Sequence, residues 1–350
     1  MNSRWLHPGA WWLWALGLGA AATRTSNPLL LGLIVAVAVL VVSARRPQAQ
    51  WAGAFSVFLR LALLVIAIRV VFTVVFGVRV GTTELFVLPS VALPDWLAGV
   101  TLGGTVTVEM LLIALIQGAQ LATLLVCIGA ANSLASPVRL LKALPAGLYH
   151  VGVAAVVALS LAPRIMINVR RVMQARRLRG RPTAGLRAAA ESAVPVLESS
   201  LDDAINLAAA MDTRGYGRAS TTSGAERLLQ AGLVLVGLMG MALGLFAVLG
   251  ASGWGWALLG IGVLMAVGGI VLAGRRVPRT RYRPDPWRWP ETLTAGSGVL
   301  AAIAVMTVSS NTITLPLTWP ALPAGVVAAI LLAALPAGLT PPPPLPWQAT

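Results

Sequence analysis

Residues 163–217 read PRIMINVRRVMQARRLRGRPTAGLRAAAESAVPVLESSLDDAINLAAAMDTRGYG. This polar stretch sits between long apolar runs, and where it lies decides how the rest of the chain is threaded. It holds two segments with helical spacing, and each ends in Arg-Gly: Arg179-Gly180 and Arg214-Gly215. In the second segment Leu197, Leu201, Ala204, Ile205, Ala208 and Met211 form one apolar stripe, with Glu198, Asp202 and Asp203 off it. In the first, Ile165, Val169, Val172 and Met173 form a stripe, and Arg170, Arg171, Arg176 and Arg177 crowd the other faces. Glycine closes a helix by taking the left-handed conformation. An arginine in the last turn meets the negative end of the helix dipole. Pro195 is expected to interrupt the region 186–213, so the well-formed second helix should start near it. The first helix is basic and the second acidic, which brings Arg170 or Arg171 toward Asp202 or Asp203. Exposed pairs are worth only ~0–1 kcal/mol each, so packing must hold the element together.

Composition places the element in a membrane protein. Hydrophobic residues make up 57% of the 350 and charged residues 11%, against about 25% charged in soluble domains. The net charge of +15 comes from 26 basic residues, of which only Lys142 is a lysine. In such a chain basic loops mark the cytoplasmic side and anionic headgroups. The arginines are scattered over short loops, so nucleic-acid binding is excluded as a reading. The one cysteine, Cys127, lies in an apolar run and implies neither a disulfide framework nor a thiol metal site. The first apolar run is followed at once by Arg24, Pro28 and a second run, so it is expected to be retained.

Apolar runs cover about 9–22, 29–42, 53–77, 105–130, 147–162, 228–250, 254–273, 293–310 and 321–338, and a span needs about 20 residues. Arg45 and Arg46 place loop 43–52 inside, and loop 78–104, poor in basic residues, belongs outside. Segment 105–130 then returns inward to Arg139 and Lys142. The cluster from Arg164 to Arg181 must also lie inside, so run 147–162 cannot cross once; it is expected to lead into the coupling element along the inner interface. Arg275, Arg276, Arg279, Arg281, Arg283 and Arg288 mark another inner loop. The expected architecture is all-α: a polytopic membrane protein with about eight transmembrane helices and a cytoplasmic pair of crossing helices. The divisions are 1–145 (four spans), 146–218 (the helical pair), 226–340 (four spans) and a proline-rich tail, 341–350. Both termini are expected in the cytoplasm of a plasma-membrane protein.

At these residues the chain resembles a known family. Arg177-Leu-Arg-Gly180 and Ala210-Met-Asp-Thr-Arg-Gly-Tyr216 are similar to the paired Ala-Arg-Gly motifs of the transmembrane (T) component of energy-coupling factor transporters. These are vitamin and transition-metal importers, cobalt and biotin systems among them. Asn27-Pro28, Ala162-Pro163-Arg164 and Arg281-Tyr-Arg-Pro-Asp-Pro-Trp287 add to the likeness, which covers nearly the whole chain. Leu178 and Thr213 stand where the family has alanine, and the late hairpin is extra. The resemblance implies two ABC-type ATPases as partners, met by Arg179, Gly180, Arg214 and Gly215. It also implies a small substrate-capture membrane subunit, gripped by Leu197, Leu201, Ile205 and Ala208.

The chain has no G-x-x-x-x-G-K-[ST] motif, so any ATP hydrolysis is expected on partner subunits. His7 and His150 stand alone, and no catalytic set, metal ligands or cofactor is expected. Gly237, Gly240 and Gly244 have the small-residue spacing of helix packing. Arg60 can snorkel to the interface. Arg69 and Glu109 lie at similar depth in neighbouring spans and are expected to form an intramembrane pair, against a role on a substrate path. The competing functional class is a self-contained secondary transporter or channel, which needs midplane polar groups and inverted repeats; the spans offer few polar groups, and no repeat is evident.

Overall fold

The computed structural model describes residues 4–47, 53–76, 80–92, 101–143, 148–181, 185–216, 224–250, 253–274, 285–308 and 320–342. Its order is α1 (Pro8–Thr23), α2 (Pro28–Arg45), α3 (Ala54–Phe76), β1 (Glu84–Ala92), β2 (Thr101–Thr107), α4 (Val108–Leu134), α5 (Pro137–Lys142), α6 (Tyr149–Leu178), α7 (Leu186–Thr213), α8 (Gly224–Leu249), α9 (Gly255–Gly274), α10 (Trp289–Val308), α11 (Ala324–Leu332) and α12 (Pro336–Leu339). The protein is all-α and polytopic. Among the described residues seven helices are long and apolar enough to cross a membrane: α2, α3, α4, α6, α8, α9 and α10. The expected number was eight. Six of these coincide with expected spans. The runs at 9–22 and 321–338 fold into shorter helices, α1 with 16 residues and the apolar stretch Ala324–Leu339.

Run 147–162 is not separate from the arginine segment. Residues 149–162 form the first half of α6, one 30-residue helix that continues through Pro163. The helix is long and apolar enough to cross, where the expectation laid the run along the inner interface: 149–169, with Arg164 its one charge, covers about 32 Å at 1.5 Å per residue, close to the ~30 Å hydrocarbon core. Helix α7 likewise continues through Pro195 rather than starting there. Alanines before the proline, at 188–190 and 193, and after it, at 204 and 208–210, favour helix on both sides. The loop expected at 78–104 holds an antiparallel hairpin, β1–β2, paired from Glu84 with Thr107 to Ala92 with Thr101. The arginine-rich stretch 275–284 and the tail 343–350 lie outside the described residues.

Contacts divide the chain into two compact units, Met1–Leu140 with Arg283–Thr350, and Leu141–Tyr282. The late helices α10–α12 therefore belong with the N-terminal helices, a grouping that sequence order hides. In this first unit α1 crosses α10 with no room for side chains. A Cβ on Gly17 would lie 2.4 Å from the Gly298 carbonyl group, and one on Gly298 would lie 2.5 Å from the Trp14 carbonyl oxygen. Trp14 is fully buried and donates its indole N–H to the carbonyl of Ala333, 2.9 Å away. Asn27 caps α2 by accepting from the Leu29 N–H (3.0 Å) and donates to the Ala321 carbonyl (2.9 Å). Arg45, at the end of α2, donates to the carbonyls of Pro336 (3.3 Å) and Gly338 (3.1 Å). Helix association in lipid rests on close packing of this kind. Gly298→Leu should therefore drive α1 and α10 apart, at a cost of about 1–3 kcal/mol, seen as a lower melting temperature of the detergent-solubilised protein; an unchanged melt would contradict the crossing.

Within the second unit α8 and α9 pack along a seam of small residues. Gly237 faces Ala266, Gly240 faces Gly262, and Gly244 faces Leu259. A Cβ on Gly237 would come within 2.4 Å of the Ala266 nitrogen. The spacing expected of helix packing is thus used for it.

Candidate functional site

Helices α6 and α7 form an antiparallel pair. Asn168 donates its amide N–H to Asp203 (3.1 Å), and Arg176 donates to Glu191 (2.9 Å). Going up one helix goes down the other, so the C-terminus of α6 lies by the start of α7. The two Arg-Gly ends are therefore separated by the length of α7, about 40 Å at 1.5 Å per residue.

Both ends close in the same way. Gly180 has φ 68° and Gly215 has φ 77°, both left-handed. The Arg181 N–H bonds the Arg176 carbonyl (3.0 Å) and the Gly180 N–H bonds the Arg177 carbonyl (3.0 Å). At the second end Tyr216 bonds Met211 (3.0 Å) and Gly215 bonds Asp212 (2.8 Å). This double bond pattern is the Schellman motif, which satisfies the last carbonyls and turns the chain away. In each case the arginine is the last residue before the glycine, held by backbone geometry rather than by its own side chain. Among the described residues neither the Arg179 nor the Arg214 guanidinium enters a hydrogen bond or ion pair. Both are exposed. Beside Arg179, Leu178 is 90% exposed, so this tip carries an apolar group next to a free cation. Thr213, in contrast, donates its hydroxyl back to the Ala210 carbonyl (3.0 Å). Gly215→Ala would force a Cβ into the left-handed region at about 1–2 kcal/mol; faster hydrogen exchange at the amides of residues 215 and 216 is the expected sign.

The faces of the pair differ from the expectation in one respect. The apolar stripes do not meet. Leu197, Leu201 and Ile205 are 67%, 62% and 57% exposed, and Ala208 is exposed with them. The buried side of α7 instead carries small and polar residues, Ala188 and Ser192, with half-buried Asp203 further along. In the second half of α6 the buried positions are Asn168 and Arg176, with half-buried Val172 between them at i+4 spacing. Arg170 and Arg171 are exposed and do not reach Asp202 or Asp203. The reason is angular: Asn168, Val172 and Arg176 share one face, and Arg170 lies about 200° round from it. Asn168, Arg176 and Glu191 were missed as linking residues. The signal that could have found them is the i, i+4, i+8 recurrence of Asn168 and Arg176 around Val172.

The intramembrane pair is not formed. Arg69 hydrogen-bonds the side-chain amide oxygen of Gln117, while Glu109 accepts from the Thr83 hydroxyl (2.8 Å) and backbone N–H (3.3 Å). The cause is register. Gly118 packs against Ile66 and Arg69, so Arg69 lies level with Gln117, about 12 Å along α4 from Glu109. Glu109 serves instead to hold the turn before β1. Gly81 (φ 91°) lies so close that a Cβ there would be 2.5 Å from the Glu109 carboxyl carbon. Among the described residues no three His, Cys, Asp or Glu side chains gather as a metal site.

In comparisons with known proteins, no family model and no curated sequence matches this chain. The functional reading therefore stands on the residues themselves.

Proposed function

We propose that the chain is the transmembrane coupling subunit of an energy-coupling-factor-type importer for a vitamin or transition-metal ion. The observation that carries this reading is the matched pair of helix ends. Two exposed arginines, each set by the same backbone cap, stand at opposite ends of one antiparallel helical pair. A pair of cationic tips about 40 Å apart suits docking to two copies of one partner type, each with an acidic, apolar-edged groove. Two ABC-type ATPases in the cytoplasm are such partners. The exposed ridge of Leu197, Leu201, Ile205 and Ala208 runs between the tips and suits a third component, a small membrane protein that captures the substrate. ATP-driven movement of the ATPases would shift the tips, tilt α6 and α7, and change the grip on the capture protein.

The arginines of α6 and α7 then lie on the cytoplasmic side of the plasma membrane, with α6 along the inner interface and both termini cytoplasmic. The chain itself performs no chemistry in this scheme and needs no cofactor. Selectivity belongs to the capture subunit. The test is affinity purification of the tagged chain from its native host, followed by mass spectrometry. Co-purification of ATPases bearing P-loops, at two per chain, is the expected result. A chain that purifies alone and transports solute when reconstituted alone would support the self-contained transporter instead.

A further inference from the structure

The hairpin β1–β2 stands at one end of two membrane helices. Its root is tightly held. Val106 and Thr107 are buried, the Val108 N–H bonds the Thr83 carbonyl (3.0 Å), and Thr107 caps α4 by accepting from the Met110 N–H (3.4 Å). Beyond the root β1 carries exposed apolar side chains on both of its faces. Successive residues of a strand point to opposite sides, and Leu85, Phe86 and Val87 are all exposed. Neither face is thus a protein core, and neither suits water, since exposed apolar surface of this kind normally has a partner.

The hydrocarbon core is equally unsuitable. A two-stranded ribbon has two open edges, and lipid tails cannot satisfy their N–H and C=O groups. The headgroup–acyl boundary meets both demands: it offers apolar contact to the exposed side chains, and water and headgroup polar atoms to the open edges. Exposed apolar side chains also stand at the end of α3, which packs against β2: Val71, Phe72 and Phe76 are exposed, and the two phenylalanine rings lie 5.6 Å apart. Helix α3 is long and apolar enough to cross a membrane, so the ribbon packed at its end lies near the level where that span leaves the hydrocarbon.

We infer that β1–β2 is a membrane-interface anchor: it lies at the headgroup–acyl boundary of the leaflet in which α3 ends, with Leu85, Phe86 and Val87 in contact with that boundary on both faces of the strand. The only charge in either strand is Glu84, at the root. The contact is therefore apolar rather than electrostatic, and anionic lipid is not required. It fixes the depth of the α3–α4 end in the bilayer, as interfacial side chains do for spanning helices.

The test uses the full chain in phosphatidylcholine nanodiscs. Cys127 is replaced by alanine, and nitroxide labels are placed at Phe86→Cys and Val87→Cys, with Phe72→Cys as the lipid-facing reference. Power-saturation EPR compares collisions with oxygen and with a water-soluble nickel chelate. Oxygen should dominate at both hairpin sites, and adding phosphatidylglycerol should leave the ratio unchanged. Dominance of nickel at either site, with Phe72→Cys still oxygen-accessible, would show that the ribbon stands in water and overturn the inference. Protection from both reagents would also overturn it, because the faces would then be covered by protein, such as a second copy.

Discussion

Changing Arg179 and Arg214 together to alanine is expected to abolish transport and to release the ATPases from the purified complex. A desolvated charge pair across an interface costs about 2–5 kcal/mol when one partner is truncated. Each single change should therefore weaken ATPase binding by about 30-fold to several thousand-fold. The structure makes this a clean experiment. Both caps are built from backbone bonds and left-handed glycines, so alanine at either arginine leaves the helix end intact. Neither guanidinium holds anything else among the described residues. Unchanged far-UV circular dichroism with lost ATPase retention is the expected signature. Arg→Lys keeps the charge but loses the planar fork of donors, and should retain part of the binding. Full transport by the double alanine variant would sink the coupling reading.

The second large effect is structural. Arg4→Ala should destabilise the chain by about 3 kcal/mol, the low end of the range for breaking a buried pair. Glu291 is fully buried and accepts two hydrogen bonds from Arg4, at 2.8 and 3.0 Å. It also accepts from the Arg288 backbone N–H (3.1 Å), as an acidic residue in the first turn of α10. Without Arg4 the carboxylate stays buried with only that bond and the helix dipole. The Arg4 side chain is 26% exposed, which is why the low end applies. Adding Glu291→Leu should recover part of the loss, since the orphaned charge is then gone. A double variant no more stable than Arg4→Ala in a detergent melt would assign the cost to something other than that charge.

Local signals were legible where a residue answers to its immediate neighbours. The left-handed glycines at 180 and 215 follow from the ends of two periodic segments, because a helix that stops needs its last carbonyls satisfied. Runs of apolar residues marked α2, α3, α4, α8, α9 and α10 because a membrane helix must satisfy its backbone internally and present apolar side chains throughout. Pro195 misled, since α7 runs through it as α6 runs through Pro163. Pro163 and Pro195 each forfeit one backbone bond, a cost that the good helix formers on both sides outweigh. The stripe of Leu197, Leu201 and Ile205 was read as a stripe, and the structure leaves it exposed. It does not hold the two helices together, because periodicity says which residues share a face and nothing of what covers it. Asn168 and Arg176 face α7, and the leucines face outward.

By itself the sequence determined the class, six of the seven long apolar helices and the two Arg-Gly helix ends, all of them consequences of composition and of hydrogen bonding within one turn. Only the tertiary structure decided that α10–α12 pack with the N-terminal helices, that Arg4 neutralises Glu291 across nearly the whole chain, and that Arg69 meets Gln117 instead of Glu109. Those outcomes depend on which helices lie side by side and on their axial register. Both are set by close approach at small residues such as Gly17, Gly118 and Gly298, where a shift of one or two turns changes every partner while leaving the local pattern of each helix the same.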